Sequence, residues 1–210
     1  MDVLAGFVAV IYLVVMLMFA ISLEAALLAF FVVAYVLEGK ALSAIARRRG
    51  IAKPWLAWVP VGSSWLLGAI SDQYRYVAHG QVRNRRKLLP WLTGALYAAI
   101  ALLLTILVVW MVASISAAVA SGEEAFLTAY FGGFVVFYLF MFAYIGIAAV
   151  ASVFQYMAYY DLFRSCDPKK SLVYLLVSIF TSYPLPFFVY SCRNKDLGMP
   201  PRVDAPSCEE

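Results

Sequence analysis

The sequence predicts an all-helical polytopic membrane protein, with three long transmembrane helices and two proline-broken helical hairpins on one face. Three observations carry this. Hydrophobic residues make up 65% of the 210 residues and charged residues 13%, with mean hydropathy +0.87, whereas about a quarter of a soluble domain is charged. Apolar runs cover residues 3–37, 88–120 and 125–160, each longer than the roughly 20 residues a span needs. All sixteen Lys and Arg residues fall in three windows, 40–87, 164–170 and 193–202. Translocated segments resist positive charge, so the windows mark the cytoplasmic side. That places the N-terminus outside and the C-terminus inside.

Residues 3–37 carry no proline and a single acid, Glu24. As a helix they measure about 50 Å, against a hydrocarbon core of about 30 Å. One tilted helix is preferred over a fold at Ser22-Leu23-Glu24, because that link lacks Gly and Pro. Ala20-Ile21-Ser22 looks like a signal-peptide cleavage site, but no basic stretch precedes it, so the segment is expected to be retained. Residues 88–120 form the second span, with Pro90 near its first turn where a missing N–H costs little. Ser121-Gly122-Glu123-Glu124 makes the outer turn, and 125–160 returns to Asp161 and Arg164. The shared excess length of the three runs predicts an outer bundle in which residues 3–16, 111–120 and 126–137 cover one another.

Two shorter apolar segments, 54–70 and 172–190, contain Pro60-Val61-Gly62-Ser63-Ser64 and Pro184-Leu185-Pro186, with basic residues at both ends. A full crossing by 54–70 would place Arg83, Arg85, Arg86 and Lys87 outside, against the charge rule. Both are therefore read as hairpins that enter from the cytoplasmic face and return, or lie in the interface. Long helix, basic link, hairpin and charged exit then occur twice, as a weak parallel repeat. Residues 1–196 make a single membrane domain and 197–210, rich in Pro and ending in acids, a loose tail.

Three features could carry function. Trp55, Trp58 and Trp65 surround the first hairpin, where tryptophan serves as an interfacial anchor; a broken backbone at Ser63 and Ser64 would make a binding site there. Asp72, Tyr74, Arg75 and Tyr76, followed by Arg83, Arg85, Arg86 and Lys87, lead back to the second span, and Arg193 and Lys195 follow the second hairpin. They form a basic, aromatic surface for anionic lipid headgroups or for docking a partner. Glu24 is the single acid within a span and sits towards the outer interface, and Gln155 on the third span suits interhelical hydrogen bonding. Gly146, Ala149 and Ser152 give the third span a small-residue face for close helix packing.

Known chemistry finds little footing. Cys166, Cys192 and Cys208 form no disulfide framework, and His79 is the only histidine, so a metal site lacks its ligand spacing. Gly62-Ser63-Ser64 lacks a base within a span, and Tyr160-Asp161 lacks the second motif of an aspartyl protease. The chain carries no P-loop, no HExxH and no GxGxxG. The segments Arg48-Arg49-Gly50-Ile51-Ala52-Lys53-Pro54-Trp55-Leu56-Ala57-Trp58-Val59-Pro60-Val61-Gly62, Ser71-Asp72-Gln73-Tyr74-Arg75-Tyr76 and Cys192-Arg193-Asn194-Lys195-Asp196-Leu197-Gly198-Met199-Pro200-Pro201-Arg202 resemble a group of uncharacterised bacterial multi-spanning membrane proteins. The resemblance covers the surroundings of both hairpins, implies a bacterial cytoplasmic membrane, and brings no activity or ligand with it. The expected function is that of a non-enzymatic accessory or scaffold without cofactor, working through its cytoplasmic face. The alternatives are a small transporter or channel with its site at the hairpins and, more remotely, an intramembrane enzyme. The expected partners are the lipid bilayer, anionic headgroups on the cytoplasmic side, and a membrane protein or a second copy of the chain. Nucleic acid is not among them.

Overall fold

Without proline to interrupt it, the N-terminal run forms one helix, α1, over Asp2–Arg48. The computed structural model describes residues 2–181 and 183–196, with side chains from Ile11 onward apart from those of residues 121 and 123. The 47 residues of α1 continue eleven beyond residue 37. Its stop is encoded by Gly50 at φ 65°: Gly50 N–H donates to Arg47 C=O and Ile51 N–H to Ala46 C=O, closing a Schellman motif. Arg47 and Arg48 lie in the last turn, where they complement the helix dipole.

A short 3₁₀ helix, Pro54–Trp58, then climbs back along α1, and α2, Pro60–His79, descends from it. Close approach at the reversal requires glycine twice. A Cβ at Gly39 would lie 3.2 Å from the Trp58 ring, and one at Gly62 would lie 2.6 Å from the Leu56 carbonyl oxygen. The long helices α3, Arg85–Ser121, and α4, Glu123–Cys166, form an antiparallel pair turned at Gly122. Trp110 lies over Gly133, donates from Nε1 to Tyr130 C=O at 3.1 Å and stacks on Phe137. Two short helices, α5 (Ser171–Phe180) and α6 (Leu185–Lys195), complete the described chain. No strand occurs among the described residues.

Three helices are thus long and apolar enough to cross a membrane: Ile11–Arg48, Arg85–Ala120 and Glu124–Cys166. The segment expected to form the first hairpin differs from the expectation in where it breaks. Its break lies at Val59, and Gly62, Ser63 and Ser64 sit inside the first turn and a half of α2, where Ser63 N–H donates to Val59 C=O at 2.7 Å. Pro60 opens this helix, since proline at the first position removes only an N–H with no partner to lose. The descending arm continues nine residues past Ile70.

The core gathers at the end of the molecule that holds the basic residues. Leu42 and Ile45 of α1, Leu66, Leu67 and Ile70 of α2, Leu162 and Phe163 of α4, and Val189 of α6 are almost wholly buried there. Each long helix of the two half-motifs packs on the descending arm of the other: α1 on α6, and α4 on α2. The outer bundle predicted from helix length is not formed by the described residues, 11–16 on α1; the side chains of residues 3–10 lie outside them. Described residues 11–29 of α1 are exposed on every side, and among the described residues no Cα of α1 comes within 8 Å of one in α3 or α4. Only α3 and α4 cover each other there; an apolar surface gains nothing by leaving lipid for protein, so nothing draws α1 to them.

Candidate functional site

Much of the basic surface expected to face a partner is consumed in holding the helix ends together. Asp161 of α4, 2% exposed, accepts from Arg75 Nε at 2.7 Å, Arg85 Nη1 at 2.7 Å and Ser71 Oγ at 2.6 Å. Asp72 accepts the N–H groups of Arg85 and Arg86 at 3.0 Å, one on each carboxylate oxygen, capping the otherwise unpaired N-terminus of α3. Tyr74 is buried, and burial raises its phenol above the ordinary value. Arg49 is clamped to Asp196 at 2.8 Å, with both side chains fully buried, and donates to Ser165 Oγ at 2.7 Å. Gln73 Nε2 donates to Arg49 C=O at 3.0 Å. These bonds draw the three basic windows to one end of the molecule.

Lys195 meets Asp167 at 2.8 Å on the surface. Their hydrogen bond lowers the Asp167 carboxyl and raises the Lys195 ammonium from their usual values. Cys192 is buried, and a hydrogen bond with Cys166 together with burial pushes its thiol up. His79, at the end of α2, stands edge-on to Tyr74 with centroids 6.1 Å apart. Ser63 donates to Pro60 C=O and Ser64 accepts from Thr93 at 2.8 Å; His79 is fifteen residues further along the helix, about 22 Å away. Trp55, Trp58, Tyr76, Arg83, Arg86 and Lys87 remain exposed. Arg193 lies over the Tyr190 ring at 4.5 Å. Trp65 packs against the core and lines a cleft of ≈ 550 Å³ with Asp72, Gln73, Tyr76, Arg83 and Arg86.

A larger cleft, ≈ 670 Å³, lies between α1, α4 and the start of α6. Helix α1 supplies Phe30, Phe31, Ala34, Tyr35 and Glu38; the last four lie one, four, five and eight residues after Phe30, which places all five on one face. Helix α4 supplies Ser152, Gln155, Tyr156 and Tyr159 by the same rule. Tyr183, Leu185 and Pro186 close one side. At its inner end Tyr159 O–H donates to Glu38 Oε1 at 2.5 Å, and the Gln155 side chain reaches the same hydroxyl. Tyr35 O–H donates to Trp58 C=O, and Tyr156 O–H donates to Ser178 C=O at 3.2 Å. The outer end is marked by Phe30, edge-on to Tyr183 at 5.5 Å.

Gln155 is thus part of a cleft wall, its side chain on the Tyr159 hydroxyl that joins α4 to Glu38 of α1. The small-residue face expected to receive a helix does not receive one: a Cβ at Gly146 would meet open space, Ala149 and Ser152 are exposed, and Ser152 borders the cleft. Glu24 stands exposed on the bare stretch of α1, fourteen residues or about 21 Å outward of Glu38. Sequence reasoning missed Glu38, because Glu38-Gly39-Lys40 looks like the polar exit of a span. The available signal was the coincidence of Tyr35 and Glu38 on one helix face with Gln155, Tyr156 and Tyr159 on another.

Among the described residues, no group of three His, Cys, Asp or Glu side chains is placed to hold a metal ion. Compared with known proteins, the chain matches no family model, no curated protein and no solved structure.

Proposed function

We propose that this is a non-enzymatic protein of the bacterial cytoplasmic membrane, N-terminus outside and C-terminus inside, whose working site is the cleft beside the second hairpin. There it takes an amphipathic molecule from the bilayer. The single observation that carries this reading is the joining of an aromatic, apolar cleft of ≈ 670 Å³ to a polar inner end built from Glu38, Tyr159 and Gln155. Ligand sites have this size and this make-up, apolar walls with a few converging polar groups. Polar groups at membrane depth are costly unless they line a protein-enclosed or functional space.

The membrane placement is supported by the depth of the hairpin. Tyr183 meets Phe30, eighteen residues or about 27 Å outward of Arg48 along α1, and Phe180, three residues before Tyr183 in sequence, is 85% exposed. An apolar tip so far from the basic end fits a segment that dips into lipid and returns. A bilayer containing a lipid with a photoactivatable acyl chain tests the site. Adducts concentrated on Phe31, Ala34 and Tyr183, and reduced when Ala34→Trp fills the space, are the expected result; adducts spread evenly around α1, α3 and α4 would oppose it.

A second reading, docking of a membrane-protein partner or a second copy on the inner face, is favoured by exposed Trp55, Tyr76, Arg83, Arg86 and Lys87 around the smaller cleft. Anionic headgroups of the inner leaflet suit the same cations. Substitution of Arg83, Arg86 and Lys87 by Gln, followed by affinity capture in mild detergent, separates the two: this reading requires loss of a co-purifying protein.

A further inference from the structure

The geometry points to a cationic amphiphile, an organic ammonium or phosphonium with an apolar tail, as the occupant of the cleft; this deepens the proposed function and rests on it. The argument begins with charge. Asp161, Asp167 and Asp196 each face a Lys or Arg within 2.8 Å, and Asp72 caps two backbone N–H groups. Glu38 has a phenol for a partner and, among the described residues, no cation. No Lys, Arg or His lines the cleft. A carboxyl group half-buried in apolar surroundings has no counter-charge there to hold it ionised, and a positive headgroup seated beside it would supply one.

The walls match the same chemistry. Tyr35, Tyr156, Tyr159 and Tyr183 present rings around the space that Glu38 enters, and aromatic faces attract desolvated cations, quaternary ammonium above all. An anionic head would meet Glu38 with like charge, and a zwitterionic phospholipid would bring a phosphate with no basic partner in the cleft. The tail has somewhere to go. Outward of Ala34, the described residues of α1 stand apart from α3 and α4, so an apolar chain leaving the headgroup passes directly into the surrounding lipid.

The test is equilibrium binding of radiolabelled tetraphenylphosphonium to the full chain in a neutral detergent. Saturable binding near one per chain is expected, with affinity at least about tenfold weaker in Glu38→Gln, largely kept in Glu38→Asp, and lost in Ala34→Trp. Thermal unfolding shows whether each variant is folded. Competition on the unaltered protein decides the matter even where a variant fails to fold. Dodecyltrimethylammonium should displace the probe, while dodecyl sulfate and a neutral dodecyl glycerol ether should not. Displacement by the neutral compound as readily as by the ammonium, or full affinity in folded Glu38→Gln, overturns the cationic class and leaves an amphiphile cleft standing. Absence of saturable binding, together with failure of the lipid photo-adducts to concentrate in the cleft, overturns both.

Discussion

The inner and outer halves of this molecule are built from almost the same kind of apolar sequence, yet only one of them is packed. Inward of Ala34, the helices meet through fully buried Leu42, Ile45, Leu66, Ile70 and Phe163 and are locked by Asp161 and Asp196. Outward of it, among the described residues, no Cα of α1 comes within 8 Å of one in α3 or α4, and Leu13, Met18 and Phe19 are each more than 60% exposed. The difference shows that hydropathy determines which residues may enter a membrane, not which of them touch. Apolar surfaces gain little by meeting inside lipid; polar groups that must be paired, and glycines that admit close approach, decide where helices converge. Where the pairing is left incomplete, at Glu38, a cleft opens.

Five substitutions probe this contrast, in decreasing order of effect. Asp161→Ala leaves Arg85, 4% exposed, and Arg75 without their carboxylate; unpaired buried charges cost about 3–5 kcal/mol, so thermal unfolding in detergent should show the largest loss of the set. Arg49→Met strands the buried Asp196 in the same way and should cost about 3 kcal/mol, with α6 released first, as amide hydrogen exchange over 185–195 would reveal. If either variant unfolds like the unaltered protein, the inner clamps are not what sets the halves apart.

Two glycines sharpen the comparison directly. A Cβ at Gly68 would lie 2.7 Å from the Arg85 carbonyl oxygen, whereas one at Gly146 would meet nothing. Gly68→Ala should therefore destabilise by about 1–3 kcal/mol through overpacking. Gly146→Ala should be neutral or stabilising by about 0.5–1 kcal/mol, from the better helix propensity of alanine. Equal effects in unfolding curves would contradict the division.

The surface pair Lys195–Asp167 should matter least, because exposed ion pairs contribute little and are screened. Its pH dependence has two limbs. The Asp167 carboxyl is lowered, so its contribution is present above the ordinary aspartate value and lost as pH falls through the lowered one. The Lys195 ammonium is raised, so its contribution is complete below the ordinary lysine value and lost as pH rises through the raised one. Asp167→Asn should leave stability at neutral pH unchanged within error and remove a small acid-limb slope that salt also suppresses.

The spans were legible because composition alone distinguishes them, and α1 proved continuous, as the absence of proline implied. The breaks between the short helices were harder to locate. Pro54, Pro60 and Pro186 each occupy the first turn of a helix, so proline here begins helices, while the reversal falls on its neighbours. The roles of Arg75, Arg85 and Arg49 could not be read at all, because their carboxylates lie 86, 76 and 147 residues away. A cation near its acid only in space looks, in sequence, like one more surface charge. Glu38 was hidden by the opposite circumstance: its neighbours Gly39 and Lys40 gave it an ordinary explanation.

Spin labels placed singly at Ser152 on the cleft rim, at Phe180 on the hairpin tip and at Lys87 at the basic end, in the reconstituted protein, test the central claim most directly. A cleft that opens to lipid requires collisions with oxygen to exceed those with a water-soluble nickel chelate at Ser152 and Phe180, and the reverse at Lys87. Chelate-dominated relaxation at Ser152 and Phe180, as strong as that at Lys87, would put the cleft in water and contradict its role in binding a molecule from the bilayer.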